Sequence, residues 1–188
     1  MKSKNRNQGS ADFEPILVHV RDLHAGPQDL KVNCSPEQIE LADNEFRFTS
    51  PVRGTVRFSI AGNKVMAKGQ LETEAISGCV RCLQPVSVSI KAPVDVIFDH
   101  DEELLKPELE FLGAEDSTIA YFDGETIKPE QQFRESIMLD LPPLPLCRPD
   151  CKGLCPQCGA DLNSAPCNCD RKSQDIGWKS ALKQIKLD

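Results

Sequence analysis

A chain of 188 residues is long enough to bury a real core and suits one ordinary domain, or one domain with a small appendage. Its formal charge of −7 excludes a strongly basic nucleic-acid binder, because affinity for phosphate comes from clustered lysine and arginine. No apolar stretch approaches the roughly 20 residues that a membrane-spanning helix requires.

Residues 1–14 are polar and carry Lys2, Lys4 and Arg6, without the apolar run and small-residue cleavage site of a signal peptide. They read as a frayed tail on a cytoplasmic protein. Ile16 to Val20 alternates like a half-buried strand. Ser35-Pro36-Glu37-Gln38 combines an N-cap serine, a proline at the first helical position and a glutamine completing a capping box, so a short helix is expected to about Leu41. In Val52 to Ile60, the residues Val52, Val56, Phe58 and Ile60 share a face with Gly54, while Arg53, Thr55, Arg57 and Ser59 point the other way. Gly62-Asn63 then predicts a hairpin turn into a long strand from Lys64 to Ile76, with Val65, Ala67, Leu71 and Ala75 on one side. From Val86 to Phe98 the alternation is complete, with Val86, Val88, Ile90, Ala92, Val94, Val96 and Phe98 on one face.

Asp99 to Asp116 holds eight acidic residues and a single lysine, Lys106. The composition predicts an exposed, mobile loop; a docking site for a basic partner is the sharper alternative. A second helix begins near Pro129, where Phe133, Ile137 and Leu141 recur every four residues until Pro142-Pro143 ends it. Trp178, Leu182 and Ile185 share one face of a last short helix that would close the tail onto the body. No internal repeat or low-complexity segment is visible. Together these signals predict an α+β protein: a curved antiparallel sheet or partial barrel with packing helices over residues 15–146, followed by a zinc-ribbon-like, cysteine-rich module over 147–188 that includes the terminal helix.

Of nine cysteines, eight fall in tight pairs in a chain with no export signal, which favours metal ligation over disulfides. Cys155-Pro156-Gln157-Cys158-Gly159 is a zinc-knuckle turn, in which two thiolates reach one tetrahedral ion and the glycine eases backbone approach. After eight intervening residues come Cys167 and Cys169, completing a four-thiolate set within fifteen residues. Cys79 and Cys82, at the turn between two long strands, and Cys147 and Cys151 each supply half a tetrahedron. Pairing these halves would pin the sheet to the C-terminal module and remove entropy from the unfolded chain. Cys151 and Cys155 are also close enough in sequence to share a metal, so spacing alone leaves the pairing open. Two Zn2+ per chain are expected, and their thiolates would take the charge from −7 to about −11. Cys34 stands alone and reads as a buried structural thiol.

Four-cysteine zinc is closed and structural, whereas catalytic zinc keeps an open position and draws on histidine or carboxylate. His19, His24 and His100 form no metal-binding pattern, and no P-loop, G-x-G-x-x-G or G-x-S-x-G motif is present. These observations predict a protein that is not an enzyme and has no small-molecule substrate.

The chain resembles the YceD family, the large ribosomal RNA subunit accumulation proteins. The residues that carry the resemblance are Cys79-Val80-Arg81-Cys82-Leu83 opening an alternating strand, the helix leading to Leu139-Asp140-Leu141-Pro142, and the block from Cys151-Lys152-Gly153-Leu154-Cys155 through Asn163, followed by Cys167-Asn168-Cys169. The resemblance covers roughly Ile16 to Leu187. It implies a role in synthesis, processing or accumulation of large-subunit (23S-type) ribosomal RNA, with a pre-ribosomal large-subunit particle, its RNA or a basic ribosomal protein as partner. It also implies that the two cysteine sets are separable, since family members lacking the C-terminal block keep the C-x-R-C turn. Candidate RNA or partner contacts are Arg81, Arg148, Lys152, Arg171 and Lys172, although no aromatic residues interleave with them for base stacking. A redox- or metal-responsive zinc protein regulating a partner is the alternative reading, and an RNA-acting enzyme ranks behind both.

Overall fold

The computed structural model describes residues 15–100 and 119–169. In chain order these form β1 (Val18–His19), a single helical turn α1 (Val20–Leu23), β2 (Gln28–Cys34), a 3-10 turn (Pro36–Ile39), β3 (Arg47–Phe48), β4 (Val52–Ala61), β5 (Lys64–Gly78), β6 (Pro85–His100), β7 (Ile119–Phe122), β8 (Thr126–Ile127) and α2 (Glu130–Leu139). The class is α+β, dominated by strands.

The hairpin predicted at Gly62-Asn63 forms, with Ala61 opposite Lys64, and β5 continues into a second, longer hairpin with β6 that pairs from Lys64↔Asp99 to Gly78↔Pro85. Alternation decides which way each side chain faces. Val52, Val56 and Phe58 of β4, Val65, Ala67, Leu71 and Ala75 of β5, and Ile90, Ala92, Val94 and Phe98 of β6 are all buried on one face. Phe133 and Ile137 of α2 are buried in the same core, and the Phe58 and Phe98 rings lie 6.2 Å apart beneath. Each of the larger of these side chains, the alanines apart, stabilises the fold by about 1.5–3 kcal/mol through removal from water. The opposite face carries polar rungs: Arg57 on Asp29 at 2.6 Å, Lys68 on Asp95 at 3.1 Å and Lys64 on Asp99 at 2.7 Å.

Several expectations are corrected here. The sheet order is β2-β4-β5-β6-β7, with β3 extending the β4 side of β5, so the sheet is open rather than a partial barrel. It is also not wholly antiparallel, because β7 lies parallel to β6, Ile97 opposite Ile119. The strand expected over Ile16 to Val20 is only Val18–His19; it pairs with the two residues of β8, and the chain turns at Val20 to bury Leu23. At Ser35 the cap is present, the side chain accepting from the Gln38 amide at 3.3 Å, but the helix is one 3-10 turn ended by Glu40 at φ +52°. The acidic loop expected from Asp99 begins later, since Asp99 and His100 are the last residues of β6; residues 101–116, the Trp178 helix, Arg171 and Lys172 lie outside the described residues.

At Gly54 and Gly69 the β4 and β5 backbones approach too closely for any side chain. A methyl group on Gly54 would overlap the Gln70 carbonyl, and one on Gly69 would overlap the Thr55 carbonyl. Glycine at both positions permits this close backbone approach within the β4–β5 ladder.

Candidate metal centre

The long β5–β6 hairpin carries residues 79–84 at its tip. There the chain makes a tight turn: the Leu83 amide donates to the Cys79 carbonyl at 2.8 Å and the Cys79 amide to the Gln84 carbonyl at 2.8 Å. The same two bonds recur at the same spacing further on, from Gly159 to Cys155 at 2.9 Å and from Cys155 to Ala160 at 2.8 Å. Each turn presents the two sulfurs of a C-x2-C on one side. The residue that follows adopts a left-handed backbone in both, Leu83 at φ +63° and Gly159 at φ +71°.

The proline-rich stretch after α2 returns the chain to the first turn. The Val80 amide donates to the Pro145 carbonyl at 3.0 Å, which carries Cys147 and Cys151 alongside Cys79 and Cys82. The resulting sulfur separations are 3.8 Å for Cys79–Cys151 and 3.6 Å for Cys82–Cys147. A tetrahedral ion with Zn–S bonds of about 2.3 Å demands sulfurs about 3.8 Å apart, so the set fits such an ion. All four lie within 4.8 Å of one another, and the same holds for Cys155, Cys158, Cys167 and Cys169. The pairing that spacing left open is therefore defined by the fold: Cys151 belongs with the hairpin tip and Cys155 with the downstream set. No histidine joins either group among the described residues.

The two sets differ in shelter. In the first, Cys79, Cys82 and Cys151 are buried together against Val86, Leu146 and Leu154, and only Cys147 is exposed. In the second, Cys155 is buried, Cys158 is exposed, and Cys167 and Cys169 are half-buried. A short link, Lys152-Gly153-Leu154, joins them across the first turn: Leu154 donates its amide to the Arg81 carbonyl at 3.1 Å, and Arg81 returns a guanidinium bond to the Cys151 carbonyl at 2.8 Å.

Crowding four thiols divides their acidities. Cys79 is held down to about 6, first by a backbone hydrogen bond from Cys147 and, against its burial, by those of Cys82 and Arg81. Cys155 is likewise held at about 6 by the amides of Cys158 and Gln157. Cys147 is pushed up to about 12, by loss of water around its sulfur and then by Cys151, Cys82 and Cys79. Cys169 rises to about 12, first through Cys158 and then through burial. Each set thus holds thiolate character before any ion arrives, and an ion would draw the remaining protons off. Cys34, at the end of β2, is buried apart from both sets, and burial followed by the charge of Glu130 raises its thiol.

Of the candidate contact residues, Arg81 spends part of its guanidinium on Cys151. Arg148 donates to the Asn163 side chain at 2.8 Å and pairs with Asp150 at 3.5 Å, while the side chain of Lys152 lies at an exposed position. Asn163, which has no role in the sequence reading beyond its place in the family block, is a central brace. Its Nδ2 lies 3.4 Å from the Cys151 sulfur, and its Oδ1 accepts from the Lys152 amide at 2.8 Å. Nothing in its spacing from the cysteines signals this.

Residues 67–186, more than half of the chain, match the family described as "Large ribosomal RNA subunit accumulation protein YceD", a span that contains all eight clustered cysteines. The chain belongs to the YceD family. Similar proteins include an uncharacterized protein of Mycobacterium tuberculosis, 34% identical over 111 residues, covering 59% of this chain and 51% of that protein. A Mycobacterium leprae protein, also uncharacterized, is 31% identical over 158 residues, covering 82% and 70%. The chloroplastic large ribosomal RNA subunit accumulation protein YCED homolog 1 of Zea mays is 26% identical over 158 residues, covering 72% and 54%. This YceD chain spans about half the length of the Mycobacterium tuberculosis and Zea mays relatives. No solved structure matches it. Among the described residues, no helix is long and apolar enough to cross a membrane.

Proposed function

We propose that this YceD chain is a non-enzymatic cytoplasmic factor in the synthesis, processing or accumulation of large-subunit (23S-type) ribosomal RNA, braced by two structural zinc ions. The observation that supports the role is family membership, with a match that runs through both cysteine sets. The sulfur spacing and the all-thiolate donors support zinc. Four thiolates fill every position of a tetrahedral ion and leave none for water or substrate, which supports a structural rather than catalytic part. A net charge of −7, more negative still with eight thiolates, favours contact with a precursor large-subunit particle through a basic ribosomal protein or a local RNA surface over a grip on naked RNA.

The test is a sucrose-gradient profile with quantification of both rRNAs in cells depleted of the protein and complemented with wild type or a Cys79→Ser, Cys82→Ser variant. Selective loss of large subunits, restored by wild type and not by the variant, is the expected result. An unchanged profile on depletion would remove the ribosomal reading.

A further inference from the structure

The two sets differ in how open they are, and the difference has a chemical consequence. In the first set only Cys147 is exposed, and the other three cysteines stand at 0%, 3% and 2% exposure behind an apolar shell. It is also held by chain segments distant in sequence, through Val80 to Pro145 and Leu154 to Arg81. The second set is drawn wholly from residues 155–169, opens Cys158 to solvent, and has two more sulfur ligands half-buried. The exposed Cys158 sulfur and the half-buried Cys169 sulfur lie within 4.8 Å of each other, close enough for a small movement of the loop to join them.

We infer that the second set is a thiol oxidation site, at which a peroxide converts Cys158 and Cys169 to a disulfide and opens the set while the first stays closed. This rests on the zinc reading above. The Cys158 thiolate attacks one peroxide oxygen; the O–O bond breaks, and the departing hydroxide takes a proton to give water and a sulfenic acid. The Cys169 thiolate then attacks the Cys158 sulfur; the S–O bond breaks, and hydroxide again leaves as water. Two thiolates and two protons are consumed with one peroxide, giving one disulfide and two waters. Cys155 and Cys167 remain, and two thiolates do not hold a tetrahedral ion against a chelator. The hairpin, the first set and the Arg81 brace are untouched by this step, so oxidation loosens one loop rather than unfolding the chain.

The test uses full-length protein with its zinc counted on isolation, treated with hydrogen peroxide in the presence of a chromogenic zinc chelator, with disulfides mapped by mass spectrometry. Two zinc ions per chain are expected, the first released at least tenfold faster than the second, together with a Cys158–Cys169 disulfide. Cys158→Ser and Cys169→Ser variants should each hold one zinc, released only at the slower rate. Release of the first ion with a Cys82–Cys147 disulfide, or of both together, would overturn the inference while leaving the zinc reading intact. Isolation with no zinc would overturn both.

Discussion

Leu83 and Gly159 occupy the same place in two turns closed by the same pair of backbone hydrogen bonds, each following the second cysteine of a C-x2-C and each in the left-handed backbone region, at φ +63° and +71°. Glycine adopts that conformation freely, whereas leucine is strained there by about 1–2 kcal/mol, and the Leu83 side chain is 70% exposed, so packing does not compensate. Leu83→Gly should leave stability unchanged or raise it by up to about 1 kcal/mol, the gain being offset in part by the freer unfolded chain. Urea unfolding of the metal-loaded protein reads this directly. A loss of more than about 1 kcal/mol would mean that the side chain contributes more than its exposure allows.

Gly69 presents the opposite case, a glycine required by space rather than by dihedral. Its neighbours across the sheet are the Thr55 carbonyl and the Val56 Cα, both backbone and unable to swing aside. Gly69→Ala should therefore force β4 and β5 apart at the centre of the core and cost about 2–3 kcal/mol, in the range of overpacked interiors. Ala at Gly78, where nothing lies within 4 Å, is the matched control and should be close to neutral. Equal thermal midpoints for the two variants would argue that the strands do not approach so closely.

Much of this architecture was legible because the β4, β5 and β6 strands keep one dry face, so that side chains two residues apart share an environment from Val52 to Phe98. The Ser35 cap was legible because its hydrogen bond is local. The direction of β7 was not, since alternation is the same in parallel and antiparallel strands and Ile119–Phe122 is four residues long. Nor could spacing assign Cys151: the decision is made by bonds between segments far apart in sequence, Val80 to Pro145 and Leu154 to Arg81. The two turns repeat over too few residues, with Leu where the other has Gly, to register as an internal repeat.

Arg81 illustrates how a surface cation can be structural. Its guanidinium bonds the carbonyl of Cys151 and its own carbonyl receives the Leu154 amide, so it fastens the link between the two sets onto the hairpin tip. Arg81→Ala should lower stability by about 1–2 kcal/mol, the usual worth of a charge-assisted hydrogen bond, and speed zinc loss to a chelator from the first set. An Arg81→Ala protein with unchanged unfolding and unchanged zinc retention, but reduced accumulation of large-subunit rRNA in cells, would instead identify the side chain as a contact to the particle.

Stability in the absence of metal should depend on pH with a definite sign. Cys79 and Cys155 fall to about 6 from an ordinary thiol value of 9.0. Cys151 moves the same way, burial opposing but the Asn163 amide and the Gly153 backbone prevailing. A thiol more acidic in the folded chain contributes its stabilisation in full above the unfolded value and loses it as pH falls through the folded one. Cys147 and Cys169, raised to about 12, contribute in full below 9 and lose their effect only above it, so across pH 6 to 9 they add a constant. The lowered carboxyls of Asp29, Asp123 and Asp161 act only in acid, well below this window. The urea midpoint of reduced, chelator-treated protein should therefore climb steadily from pH 6 to pH 9. Replacing Cys79 and Cys155 by serine should flatten most of that slope, and a wild-type midpoint that is level or falls over the same range would show that the turn amides do not hold these sulfurs as thiolates.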